Sequence, residues 1–254
     1  MTATTVREGF DIGRVAARTF GAIQANIWSF VLLAVLLIAA PQLLQGWLQS
    51  QIVSGDVGRA ALAGLAALPV ALFSMASLMV AQVAIIHGAF AYLSGKPASF
   101  AECLQMGWRR WWRVLLVALL SGLGSMLAML LLVVPGLILA IRWSVALPVQ
   151  VVEGGRLRAS LGRSAELTKG RRWAIFGLWM VFVVAYLLVL LTVLALANGG
   201  SFALVGLTTS PVVRLLILPI LAPISNVIGA AGVAAIYYEL RGGAVMEGVA
   251  AVFD

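Results

Sequence analysis

Charge is missing from five long stretches of this chain, residues 19–55, 60–95, 114–141, 173–213 and 215–238, and each exceeds the ~20 residues that a helix needs to cross hydrocarbon. A backbone in hydrocarbon must satisfy its own hydrogen bonds, so only helices and closed barrels are open to such stretches. Barrel strands alternate lipid-facing and lumen-facing residues, and no such alternation is present, so helices remain. Composition points the same way, with 63% hydrophobic and 10% charged residues and a mean hydropathy of +1.07. The expected fold class is an all-α polytopic membrane protein. Once the spans are subtracted, no connection is long enough to bury a soluble core, so residues 1–254 are expected to form one integral membrane domain with no separate extramembrane enzyme domain.

The single cysteine, Cys103, excludes an intrachain disulfide and any CxxC cluster, and with His87 as the one histidine the familiar zinc sites cannot be built. No metal and no cofactor is expected. The net charge of +8 is distributed unevenly. Arg7, Arg14 and Arg18 precede the first span; Lys96, Arg109, Arg110 and Arg113 separate the second and third; Arg156, Arg158, Arg163, Lys169, Arg171 and Arg172 separate the fourth and fifth. The other connections carry only Arg59 and Arg214. This alternation follows the positive-inside rule, so the charge sets topology and faces anionic lipid of the cytoplasmic leaflet; nucleic acid is not expected as a partner. The first twenty residues hold Asp11 and three arginines without an apolar core, which does not fit a cleavable signal peptide.

Six spans follow: 27–45 outward, 61–92 inward, 114–134 outward, 136–152 inward, 173–197 outward and 212–238 inward. Both termini then lie in the cytoplasm. Before each odd-numbered span a charged, amphipathic stretch switches to continuous apolar sequence at a tryptophan: Trp28, then Trp111 and Trp112, then Trp173. The unit expected is an interfacial amphipathic helix followed by a transmembrane hairpin, repeated three times over residues 9–92, 99–152 and 156–240. In the second unit Ser99 and Glu102 form an S-x-x-E capping box. In the third, Leu161, Ala165 and Thr168 share one helical face. The basic residues Arg109, Arg110, Arg113, Arg163, Lys169, Arg171 and Arg172 are expected at the membrane surface.

Enzymatic chemistry finds little support. Asp11, Asp56 and Asp254 all lie outside the spans, which excludes an aspartyl intramembrane protease, and one histidine cannot make an HExxH zinc site. Ser125 and His87 could form a nucleophile and base, yet they sit at depths differing by on the order of 10 Å at 1.5 Å rise per residue. Ser121 and Ser125, four apart, serve close helix packing equally well. No catalytic residue is assigned.

Arg142 lies seven residues beyond Pro135, roughly 10 Å inside the outer end of the fourth span, where a guanidinium is costly without a partner. Either it snorkels along its own stem to the headgroups beside Trp143, or it lines a polar pocket that selects an anion. Pro148 interrupts the fourth span, and Pro219 and Pro223 interrupt the sixth; each removes a backbone donor, and Gln82, Gln150, Ser225 and Asn226 are the polar side chains able to compensate. Candidate ligand-binding residues are therefore Arg142, Trp143, Gln82, Gln150, Ser225 and Asn226. Two roles fit: a non-catalytic module binding anionic lipid or a partner membrane protein through its basic interfacial helices and a groove near Arg142, or a permease or lipid-transfer element built on broken fourth and sixth helices. An intramembrane hydrolase is a remote third.

The run Pro135-Gly136-Leu137-Ile138-Leu139-Ala140, then Arg142-Trp143-Ser144, Pro148, Glu153 and the stretch SLGRSAELTKGRR from Ser160 to Arg172 resemble the bacterial membrane proteins called YciC-like. These are similar to the membrane domain attached to some glycerophosphoryl diester phosphodiesterases. Phe10 to Val15 near the start, and Tyr237 to Arg241 with Val252-Phe253-Asp254 at the end, fit the same pattern. The resemblance implies a multi-pass protein of the bacterial inner membrane and carries no reaction with it.

Overall fold

The computed structural model describes residues 11–53, 57–197 and 213–253, and among them it is helical without strands. Six helices are long and apolar enough to cross a membrane: Ile27–Ile52, Ala60–Leu93, Phe100–Leu131, Val133–Val152, Arg172–Leu196 and Leu215–Gly242. The expected class of a six-span, all-α membrane protein is what the chain adopts. Phe10, Asp56 and Asp254 lie outside the described residues, as do the side chains of Arg59, Arg214, Val252 and Phe253.

Helix α1 (Ile12–Ala25) is amphipathic, burying Val15, Thr19 and Ala22 at helical spacing, and its N-cap Asp11 accepts the Gly13 N–H at 2.7 Å. It stops at Asn26, whose side chain donates back to the Ala22 carbonyl at 3.0 Å. The first span then runs from α2 (Ile27–Ala34) through a π-helical turn at Val35–Ala39 into α3 (Ala40–Val53). The turn has an identifiable cause. Pro41 has no N–H for the Leu37 carbonyl four residues earlier, and the Ser77 hydroxyl of α4 (Val57–Leu93) donates to that carbonyl at 2.7 Å instead.

Helix α4 is the centre of the bundle, packed against α3, α5 (Phe100–Leu131) and the last helix, α10 (Leu218–Phe253). Small residues allow the close approach: a Cβ on Gly107 of α5 would stand 2.7 Å from the Val80 carbonyl of α4, and one on Gly88 would meet Phe30 and Cys103. The core around them holds Phe30, Leu33, Ile85, Ile86, Val114 and Ala231. The capping box starts α5, with Ser99 Oγ accepting from Glu102 N and Glu102 Oε2 accepting from Ser99 N.

The structure departs from expectation in the middle unit. No separate surface helix precedes the third span, because α5 runs unbroken from Phe100 through Trp111 and Trp112 into the apolar stretch. Nothing at that junction plays the part of Asn26 after α1 or of Gly170, at φ +80°, before α9. The sixth span also differs. The helix continues through both Pro219 and Pro223, and Pro219 has no N–H for the Leu215 carbonyl four residues earlier, just as Pro41 has none for that of Leu37. Its irregularity is a π-helical turn at Val213–Ile217, before the prolines.

A single extended residue, Leu132, joins α5 to α6 (Val133–Arg142), and two glycines at positive φ, Gly154 and Gly155, join α7 (Ala146–Val152) to α8 (Leu157–Leu167). Helix α9 (Arg172–Ala197) packs lightly, mostly against α6, and only 6% of its most apolar stretch is buried.

At one end of the bundle the chain's distant charged segments meet. Glu239 of α10 accepts Arg14 of α1 at 2.8 Å and also pairs with Arg18, which lies over the Tyr238 ring. Glu153 accepts the Tyr237 hydroxyl at 2.7 Å and faces Arg163 at 3.7 Å. Arg14 of the opening resembling segment and Glu239 of the closing one thus meet in one ion-paired seam.

Candidate functional site: a cleft at the broken fourth span

The fourth span breaks just ahead of Pro148. The proline ring clashes with a helical carbonyl at position 144, so α6 ends at Arg142 and α7 restarts at Ala146, leaving Pro148 in its first turn. At the break the Ala146 N–H bonds to the Trp143 carbonyl at 3.0 Å, which deprives the Arg142 carbonyl of its helical donor. Two hydroxyls reach it: Ser164 Oγ of α8 at 2.7 Å and, at 3.5 Å, Oγ1 of Thr168, the residue that caps α8, whose shorter contact of 3.0 Å is to the Ser164 carbonyl. One turn earlier on the same face, Ser160 donates to Gln150 Oε1 at 2.6 Å. The buried face of α8 is therefore Ser160, Leu161, Ser164, Leu167 and Thr168, with Ala165 only half-buried. Sequence reasoning placed Leu161 and Thr168 on that face and missed the two serines, whose i, i+4, i+8 spacing with Thr168 was the available signal.

The break also opens a cleft of about 430 Å³ between α4, the α6–α7 junction, α9 and α10. Trp143, Ser144, Gln82, Ser225 and Asn226 line it, facing Trp179, Phe182 and Tyr186 of α9. Four of the six candidate ligand residues thus come together from three separate spans. Gln82 Nε2 donates to Asn226 Oδ1 at 2.7 Å, and Asn226 Nδ2 donates to the Ala222 carbonyl of its own helix at 3.1 Å. Ser225 and Ser144 donate to carbonyls of their own helices. Gly229 faces the cleft with nothing within 4 Å of where a Cβ would stand, so it leaves the space open.

The other two candidates lie elsewhere. Gln150 is buried behind the break and bonds to Ser160 and the Gly155 carbonyl. Arg142 is half-buried beside the cleft, and its Nε is closed off without a hydrogen-bond partner. Sequence reasoning missed the α9 wall, although Trp179, Phe182 and Tyr186 recur at i, i+3 and i+7.

Among the basic residues assigned to the surface, Arg109, Arg113 and Lys169 are exposed, with Arg113 over the Trp112 ring. Arg110 instead donates to the Val151 carbonyl at 2.6 Å, and Arg163 pairs with Glu153 and Glu166. Arg171 and Arg172 are half-buried.

Among the described residues that line it, the cleft has no carboxylate or imidazole, and both serines donate to backbone. Its chemistry is that of a container for an apolar body with a few polar contacts. Residues 114–249 match the family described as the membrane domain of glycerophosphoryl diester phosphodiesterase. The chain belongs to this family. The similarity expected from the motifs around Pro135 and Thr168 holds, and the matched region contains every cleft element except α4. Comparison with curated proteins and with solved structures finds no match.

Proposed function

We propose that this family member is a non-catalytic membrane module that takes lipid from the bilayer into the cleft at its broken fourth span. The observation that supports this is the cleft's lining: aromatic and aliphatic walls around a single hydrogen-bonded pair of amides, Gln82 and Asn226, in a domain whose spans stand in lipid. A permease built on two broken helices has less support, because α10 passes through Pro223 without a break.

Brominated phosphatidylcholine tests the reading in a variant that keeps Trp143 and Trp179 as its sole tryptophans. Bromine on the acyl chain should quench both, and adding Gly229→Leu, whose Cβ would stand in open space, should cut the quenching by roughly half as the chain is excluded. Equal quenching with and without the leucine would remove the cleft as a lipid site.

The orientation proposed is that of a bacterial inner-membrane protein with both termini and residues 94–113 and 153–172 in the cytoplasm, since 14 of the 17 basic residues then lie inside. A cysteine at exposed position 158, in a Cys103→Ser background, should resist an impermeant maleimide added outside intact cells and react once the cells are opened. Labelling in intact cells would invert the arrangement.

A further inference from the structure

Three side-chain atoms among the described residues are buried without a hydrogen-bond partner: Arg142 Nε, Arg172 Nε and Trp179 Nε1. All three are N–H donors, and none can accept. They lie on two helices that pack together. Arg142 ends α6 next to the cleft residue Trp143; α6 packs on α9; and Arg172 and Trp179 are seven residues apart on α9, the same face two turns along, or about 10 Å. Thr168, whose hydroxyl reaches the Arg142 carbonyl, stands four residues before Arg172, so the backbones at the two arginines are joined through one short segment.

Neither arginine has a carboxylate partner among the described residues, whereas Arg14, Arg18 and Arg163 all do. Both keep partial exposure, so each guanidinium is sealed at Nε and reachable elsewhere. Arg172 also opens α9, whose first N–H groups and dipole add to its positive charge. A cation in this setting needs a counter-charge with acceptor oxygens, and two forked guanidinium groups fit a phosphate with its several oxygens.

From these observations we infer that Arg142, Arg172 and Trp179 form the headgroup end of the cleft and select an anionic phosphate-bearing lipid, with its chain lying along Phe182 and Tyr186. The inference rests on the cleft being a lipid site and adds the class of lipid it takes. Trp179 marks the boundary, with its ring in the cleft wall and its Nε1–H free for a headgroup or ester oxygen.

Native mass spectrometry of the detergent-purified full chain decides between the sources of phosphate, using phosphatidylglycerol, phosphatidylcholine and glycerol 3-phosphate as separate probes. The wild type should retain phosphatidylglycerol about tenfold better than phosphatidylcholine, and glycerol 3-phosphate should bind far more weakly because it leaves the cleft empty. Arg142→Gln and Arg172→Gln should each lower that preference severalfold, and the double variant should lose little more than either single one, since both act on one headgroup. Lys96→Gln, at an exposed position outside α6 and α9, should leave it unchanged. Because these variants remove a poorly solvated charge, their melting temperatures should hold or rise; if a glutamine variant fails to fold, Arg142→Lys keeps the charge and should keep part of the preference.

No preference in the wild type, equal loss with Lys96→Gln, or equal binding of glycerol 3-phosphate would each overturn the assignment. Quenching by brominated phosphatidylcholine that Gly229→Leu relieves, with no preference for the anionic lipid, would sink the headgroup site while sparing the cleft. Loss of that quenching effect would sink both.

Discussion

Gly136→Val should lower the stability of the detergent-solubilised protein by about 3 kcal/mol, at the upper end of what overpacking costs. A Cβ at position 136 would lie 2.5 Å from both the N and Cα of Met129, and backbone cannot swing aside as a side-chain tip can. Relief would require separating α5 from α6 at a hairpin closed by one residue, Leu132. The same hairpin brings Gly124 against the Trp143 ring, where a Cβ would sit 2.6 Å from Cζ3, so prying the helices apart also disturbs the wall of the cleft. For a chain of this size the loss corresponds to a melting temperature roughly 10 °C lower, and size-exclusion chromatography after graded heating reads it. A Gly136→Val protein that melts with the wild type would mean that the α5–α6 approach is not as close as described.

How legible all this was in the sequence depended on which physical signal each feature leaves. The spans were plain because hydrocarbon disfavours charge over a fixed length, and the six apolar helices lie close to where that rule puts them. The capping box at Ser99 and the chain break near Pro148 were readable because each depends on local chemistry. Reasoning failed where the outcome depended on a neighbour. The π turn at Val35–Ala39 draws on Ser77, forty residues away, and the long α5 results from the absence of a helix stop at Trp111 and Trp112. The cleft was half visible. Gln82, Asn226 and Ser225 stood out as polar groups in apolar spans, whereas the aromatic wall of α9 was lost among equally apolar residues. Arg142 drew attention through its charge, yet the atom with the clearest structural role there is its carbonyl oxygen, which every residue has.

That carbonyl sets the second large effect. Ser164→Ala combined with Thr168→Val removes both hydroxyls that reach the Arg142 oxygen, leaving a buried acceptor unpaired at a cost of about 1–3 kcal/mol, more than most single hydrogen bonds contribute net. Thr168→Val alone should cost less than Ser164→Ala, because its 3.5 Å contact is the longer one and Ser164 remains to serve the carbonyl. The pair should therefore cost more than the sum of the singles, a coupling that a double-mutant cycle on melting temperature detects. Thr192→Val supplies the contrast. Its hydroxyl bonds to the Leu188 carbonyl of its own helix at an exposed site, so its loss should cost almost nothing. Hydrogen exchange locates the effect: amides from Trp143 to Val149 should lose protection in the double variant while those of α4 keep theirs. Uniform loss across the bundle would mean that α8 is a general brace, and no loss at all would mean that water replaces the two hydroxyls at the break. Localised loss would show the polar stripe of α8 holding the break open at the one place where the chain leaves helical geometry beside the cleft, which is a physical reason for serine and threonine to recur through the segment from Ser160 to Arg172.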